Sequence, residues 1–109
     1  MVTKIISHRG RTSKNSEDNT LKAVNDAINL KIDMVEVDIR RTKDFQVICF
    51  HDPVLNGMAL KDMTYSEIIE LNPNIPTLEQ VLLLSRDKIE VDIEFKEQGY
   101  EKEVISMIL

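Results

Sequence analysis

One cysteine, Cys49, stands among 109 residues, tryptophan is absent, and glycine and proline number three each. A lone cysteine forms no internal disulfide, so the cross-linked secreted scaffolds are excluded and a reducing compartment fits. Its place inside a strand-like run marks it as a buried thiol and not a reactive one. With so little glycine and proline, no low-complexity segment or interdomain linker is visible, and no repeat replaces them. Hydrophobic runs are short of the ~20 residues that cross a bilayer. Basic residues are the minority, 14 Lys and Arg against 19 Asp and Glu, for a formal charge of −5. That balance supplies no field for nucleic acid or an anionic membrane surface. Strand-like sequence begins at Lys4 and leaves no room for a secretory leader, so a cytoplasmic location is expected. The 42% hydrophobic content suffices for the core of one small domain.

Histidine is as scarce as these, with two in the chain. Both end a short apolar run, Ile5-Ile6-Ser7-His8 and Val47-Ile48-Cys49-Phe50-His51. Each reads as a strand delivering an imidazole from its C-terminal tip. Imidazole takes and gives protons near neutral pH, so the pair suggests general acid-base chemistry. Asp52 either orients His51 or its neighbours or begins a turn with Pro53, and the turn is the expected role.

Strand and helix patterns alternate along the chain, the order of an α/β fold with parallel strands. Asn19 or Thr20 caps a helix whose apolar positions are Leu21, Ala23, Val24, Ala27, Ile28 and Leu30. Strands follow over 34–39 and 46–51, separated by a turn too short for a crossover helix. Asn56-Gly57 marks a turn, Thr64 caps a short helix over 65–71, and Pro73 and Pro76 break the chain. Thr77 and Gln80 have capping-box spacing before Val81, Leu82 and Leu84. A fourth strand over 88–95 and a last helix carrying Val104, Ile105 and Ile108 complete the pattern. Leu55, Met58, Leu60 and Met63 are expected in the core.

Two of these strands carry charge on one face. Alternation sets Glu36 and Asp38 opposite Val35, Val37 and Ile39, and sets Glu90, Asp92, Glu94 and Lys96 opposite Ile89, Val91, Ile93 and Phe95. Antiparallel strands with one solvated face produce the same pattern. In a parallel sheet, however, such charges face a core and must be paired or bound to metal. Carboxylates converging at strand ends make a hard oxygen site suited to Mg²⁺ or Ca²⁺.

In order along the chain come His8-Arg9-Gly10, Asp18-Asn19-Thr20, Val35-Glu36-Val37-Asp38, Thr42-Lys43-Asp44, Val47-Ile48-Cys49-Phe50-His51-Asp52, Pro76-Thr77-Leu78-Glu79 and Ile93-Glu94-Phe95-Lys96. This series resembles the glycerophosphodiester phosphodiesterase family. The resemblance implies a TIM barrel with its site at the C-terminal mouth, where one divalent cation and two histidines cleave a glycerophosphodiester to sn-glycerol 3-phosphate and an alcohol. It implies Glu36, Asp38 and Glu94 as metal ligands, His8 and His51 as the acid-base pair, and Arg9 and Lys96 as phosphate contacts. Two departures stand out: Glu17-Asp18 replaces the family's usual Pro-Glu, and the segment 53–58 is short.

A whole TIM barrel takes about 250 residues. Residues 1–109 are therefore expected to be the N-terminal half of such a domain, about the first four strands with their helices. Self-association or a complementing second half would close it. A non-catalytic half-barrel, binding a metal or phosphate or serving as an interaction module, is the alternative to a lipid-metabolic hydrolase.

Overall fold

The computed structural model describes residues 5–8 and 18–108. Its centre is one long strand, β2 (Met34–Arg41), with β1 (Ile6–Ser7) beside its first half. Both β1 and β6 (Glu90–Phe95) run parallel to β2. The β2–β6 register pairs Glu36 with Asp92 and Asp38 with Glu94. Helices α1 (Leu21–Asn29) and α3 (Leu78–Ser85) lie in the connections from β1 to β2 and from β2 to β6, and α4 (Glu101–Ile108) follows β6.

One apolar face holds these elements together. Val35, Val37 and Ile39 of β2 are fully buried against Val24 and Ala27 of α1, Leu78 and Val81 of α3, and Val104 of α4. Branched side chains suit the pleated strand, and the helix positions recur at helical spacing, so each element presents one stripe to the same core. Thr20 Oγ1 accepts from the Ala23 amide at 3.1 Å and starts α1. Capping boxes start two more: Thr64 with Glu67 for α2 (Tyr65–Leu71), Thr77 with Gln80 for α3. No helix among the described residues is long and apolar enough to cross a membrane.

The third expected strand corrects the all-parallel reading. β3 (Val47–Cys49) runs antiparallel to β2, with Cys49 opposite Ile39 and Val47 opposite Arg41. A connection of five residues from β2 permits only a reversal, since a parallel neighbour needs a crossover of a dozen residues or more. Three parallel strands, not four, are present among the described residues. A small second core lies under α2, where Ile48, Leu60, Met63, Ile68 and Ile75 are buried. A two-strand hairpin, β4 (Val54–Leu55) and β5 (Met58–Ala59), precedes it, turning at Asn56 and Gly57 with φ of 50° and 80°. Positive φ at both positions is the type I′ requirement that Asn-Gly meets. Leu60 and Met63 are core residues as expected and Leu55 packs against them, while Met58 is half exposed. Cys49 is a buried free thiol.

Candidate metal centre

Along β2 the side chains opposite the apolar core are Glu36, Asp38 and Arg40, and period-two alternation makes this a strict consequence of the strand. The parallel register brings Glu94 of β6 beside Asp38. One carboxylate oxygen from each of Glu36, Asp38 and Glu94 lies within 4.8 Å of the others. Oxygens bound to one Ca²⁺ at about 2.4 Å lie no further apart than about 4.8 Å, so this span fits a single ion. The donor set is all oxygen, the preference of Mg²⁺ and Ca²⁺ over softer metals.

Electrostatics give an independent sign of the same fit. Glu36 Oε1 is buried and has no hydrogen-bond partner among the described residues. Burial pushes the Glu36 carboxyl above its ordinary range, and the Glu94 and Asp38 carboxylates add to the rise while His8 opposes it. An acid so placed lacks a cation. Lys96 supplies part of one, its Nζ lying 2.9 Å from Glu94 Oε1 and 3.5 Å from Asp38 Oδ1. That ammonium, with help from Asp38, holds the Glu94 carboxyl down to about 2. Reciprocally, the bond to Glu94 raises the Lys96 ammonium above its ordinary value.

Asn19 is the residue that sequence reasoning placed in another role. Thr20, not Asn19, caps α1, and Asn19 is buried with φ of 62°. Its side chain clamps Asp38 from both sides. Nδ2 donates to Asp38 Oδ2 at 3.1 Å, and the Asp38 amide donates to Asn19 Oδ1 at 2.8 Å. Asparagine tolerates the left-handed backbone better than other non-glycine residues. An asparagine standing directly before a threonine cap was the available signal.

The histidines arrive by different routes. His8 follows β1, and its Nδ1 lies 3.3 Å from Glu36 Oε2. His51 comes back with the antiparallel β3: the Phe50 amide donates to the Asp38 carbonyl at 3.0 Å, which returns the chain to the level of the carboxylates. His51 Nδ1 lies 2.8 Å from Asp52 Oδ1, so Asp52 is a partner of the imidazole as well as the start of a turn. With the Asp52 carboxylate accepting, the His51 Nδ1 proton is directed at Asp52 and Nε2 stays clear of that contact. Arg9 and Glu17 lie outside the described residues.

Known proteins place this geometry. The profile of the glycerophosphoryl diester phosphodiesterase family matches residues 8–106. A glycerophosphodiester phosphodiesterase from Caldanaerobacter subterraneus is 35% identical over 130 residues, covering 99% of this chain and 53% of that protein. The crystal structure of the Thermotoga maritima glycerophosphodiester phosphodiesterase superposes with a TM-score of 0.88 at 32% identity, over 98% of this chain and 50% of that one. An Oleispira antarctica phosphodiesterase, solved with the product sn-glycerol-3-phosphate, shares the fold at a TM-score of 0.82 and 23% identity, over 97% of this chain and 50% of that one. The chain spans about half the length of these relatives, so no closed barrel is present among the described residues. Sheet, helices and profile agree over almost every position, and the chain belongs to the glycerophosphoryl diester phosphodiesterase family.

Proposed function

We propose that residues 1–109 are the N-terminal half of a barrel domain that hydrolyses glycerophosphodiesters, and that Glu36, Asp38 and Glu94 hold one Mg²⁺ or Ca²⁺. The observation that carries this reading is the convergence of three carboxylates on one strand face, with a buried Glu36 oxygen left without a partner. Bound there, a divalent cation would neutralise charge on the phosphoryl oxygens. His8 and His51 divide the proton transfers. One, neutral, accepts a proton at Nε2 from the attacking hydroxyl, the neighbouring glycerol hydroxyl or water, and the other, protonated on both nitrogens, gives its Nε2 proton to the leaving alkoxide. Glu36 and Asp52 hold the two rings through Nδ1, which keeps Nε2 facing the reaction. Lys96, at the rim of the carboxylate cluster, and Arg9 contact the phosphate. The product complex of the Oleispira relative supports a glycerophosphate-sized ligand in this fold. A cytoplasmic setting agrees with the lone buried thiol of Cys49.

A second reading has support from β6. Glu90 and Asp92 are exposed on the face that a completed barrel encloses, so this half presents its inner surface to water. On that reading the chain binds cation without turnover until a second half, or a second copy, covers β6. Calorimetry with Ca²⁺ and Mg²⁺ beside an Asp38→Asn, Glu94→Gln variant, with glycerophosphocholine hydrolysis followed in the same samples, separates the two. Cation binding and turnover, both lost in the variant, establish the phosphodiesterase. Binding without turnover favours the half-barrel, and no binding by the wild-type chain refutes both.

A further inference from the structure

Arg40 stands two residues beyond Asp38 on the same face of β2, and its side chain is almost wholly buried. A buried guanidinium is costly unless its donors are used. Here Nε and Nη2 both donate to the His51 carbonyl, at 3.0 and 2.5 Å. Nη1 reaches Glu97 Oε2 at the longer distance of 3.5 Å. Glu97 is itself fixed, since its Oε1 accepts from the Arg41 amide at 3.0 Å and the Tyr100 hydroxyl at 3.3 Å. One planar fork therefore ties the segment after β3 to the segment after β6.

We infer that Arg40 is a positioning residue for His51, acting through the His51 carbonyl. The inference rests on the proton-transfer role proposed for His51. Two donors from one rigid plane fix the direction of that carbonyl in a way a single point donor does not. On the other side of His51 the Phe50 amide is bound to the Asp38 carbonyl. The peptide after His51 is thus held by Arg40 and the Cys49–Phe50 peptide, one further back, by Asp38, which confines the His51 backbone from both directions, and Asp52, 2.8 Å from Nδ1, then sets the ring. The shorter bonds go to the carbonyl and the longer one to Glu97, which places the loop, not the ion pair, as the principal partner of Arg40. Because Asp38 and Arg40 share a strand face, the device registers the imidazole against the carboxylates.

The test uses the full chain with Arg40→Met, Arg40→Lys and Glu97→Gln. Imidazole nitrogen NMR reports the His51 tautomer, amide exchange reports the Phe50 bond, and circular dichroism reports folding. In Arg40→Met the Nδ1-protonated signature of His51 is expected to give way to a tautomer mixture, and Phe50 amide exchange to quicken about tenfold, the size of one lost charge-assisted hydrogen bond. Arg40→Lys should restore part of both signals. If Arg40→Met does not fold, Glu97→Gln, which loosens the guanidinium without emptying its site, should shift the same signals in the same direction. Where the chain turns over glycerophosphocholine, kcat should fall with KM unchanged. Folded variants with an unaltered His51 signature overturn the inference, and a raised KM with those signals unmoved would make Arg40 a substrate contact instead. An inert wild-type chain whose His51 signature still depends on Arg40 upholds the positioning role and sinks the enzymatic reading alone.

Discussion

The two faces of β2 obey opposite rules. Val35, Val37 and Ile39 are fully buried, carry no polar atom in their side chains and touch helices on every side. Glu36, Asp38 and Arg40, interleaved with them one residue apart, are also largely buried, yet every one is charged. The first face is stabilised by removal of apolar surface from water and is indifferent to direction. The second is tolerated only because specific partners meet it: Asn19 and Lys96 at Asp38, the His51 carbonyl at Arg40, His8 at Glu36. Burial alone therefore does not distinguish core from site. A partner list does, and Glu36 Oε1, a buried atom without a hydrogen-bond partner among the described residues, is where the carboxylate cluster asks for a ligand.

The sharpest break of that comparison exchanges the rules. Val37→Asp puts a carboxylate among helices with no partner, a cost of several kcal/mol against a domain stability of about 5–15 kcal/mol. The expected outcome is loss of the cooperative thermal transition seen by circular dichroism. A variant that melts like the wild type would show that the helix face is not the one that holds the fold.

Next in size is Glu36→Gln, which is expected to separate stability from binding. Cation affinity should fall at least about tenfold, because one of three charged ligands is gone. The metal-free chain should become more stable. A carboxyl raised above its ordinary 4.5 favours folding when protonated, so its contribution is full below that value and is lost as pH rises through the folded-state value. Glutamine removes that loss. The measurement is a set of thermal melts at pH 4 to 8 with chelator present, and the wild-type slope just above pH 4.5 should flatten in the variant. A destabilised glutamine variant would mean that the attraction of His8 for Glu36, 3.3 Å away, outweighs the cost of burying the carboxylate.

Lys96→Met probes the partner list from the other side. Glu94, held to about 2 by that ammonium, favours folding above 4.5, and the contribution disappears as pH falls toward 2. Without Lys96 the Glu94 carboxyl should titrate at least one unit higher by carboxyl-carbon NMR, and acid unfolding of the metal-free chain should move to higher pH. Cation affinity should hold or rise, since a competing positive charge has left. A fall would make Lys96 a support of the ligands and not a competitor.

Much of this was legible in the residues, and the reasons differ by element. Alternation along 34–39 dictated both faces of β2, and Thr64 as a cap and Thr77 at capping-box spacing from Gln80 marked the starts of α2 and α3. The motif series singled out the three candidate carboxylates that the β2–β6 register then brought together. What escaped was non-local. The direction of β3 follows from a short turn, but its consequence, the return of His51 to the level of Asp38, depends on the register between strands. A cap at Asn19 or Thr20 is legible because caps are local, and Thr20 fills it, whereas the clamp of Asn19 on Asp38 spans nineteen residues. Arg40 carries no signal of its role in the sequence, since nothing in its neighbours names a carbonyl eleven residues away.

The smallest expected effect comes from Thr77→Ala, which weakens the helix side without adding charge to it. Thr77 Oγ1 accepts from the Gln80 amide at 3.1 Å, and the Gln80 side chain returns a bond to the Thr77 amide at 3.0 Å. Losing such a cap costs about 1 kcal/mol. For a domain of this size that lowers the melting temperature by about 4–8 °C. Leu78 and Val81, the core residues of α3, stay in place, so the carboxylates on the far side of β2 should bind Ca²⁺ with affinity unchanged within about twofold, as expected for well-separated sites. One connection gives the experiment its edge. The Cys49 amide donates to the Pro76 carbonyl at 3.0 Å, directly before the cap and two residues before His51. If Thr77→Ala also disturbs the His51 imidazole signals, the helix start and the histidine move as one unit, and the two faces of β2 are coupled through β3 despite the sheet between them.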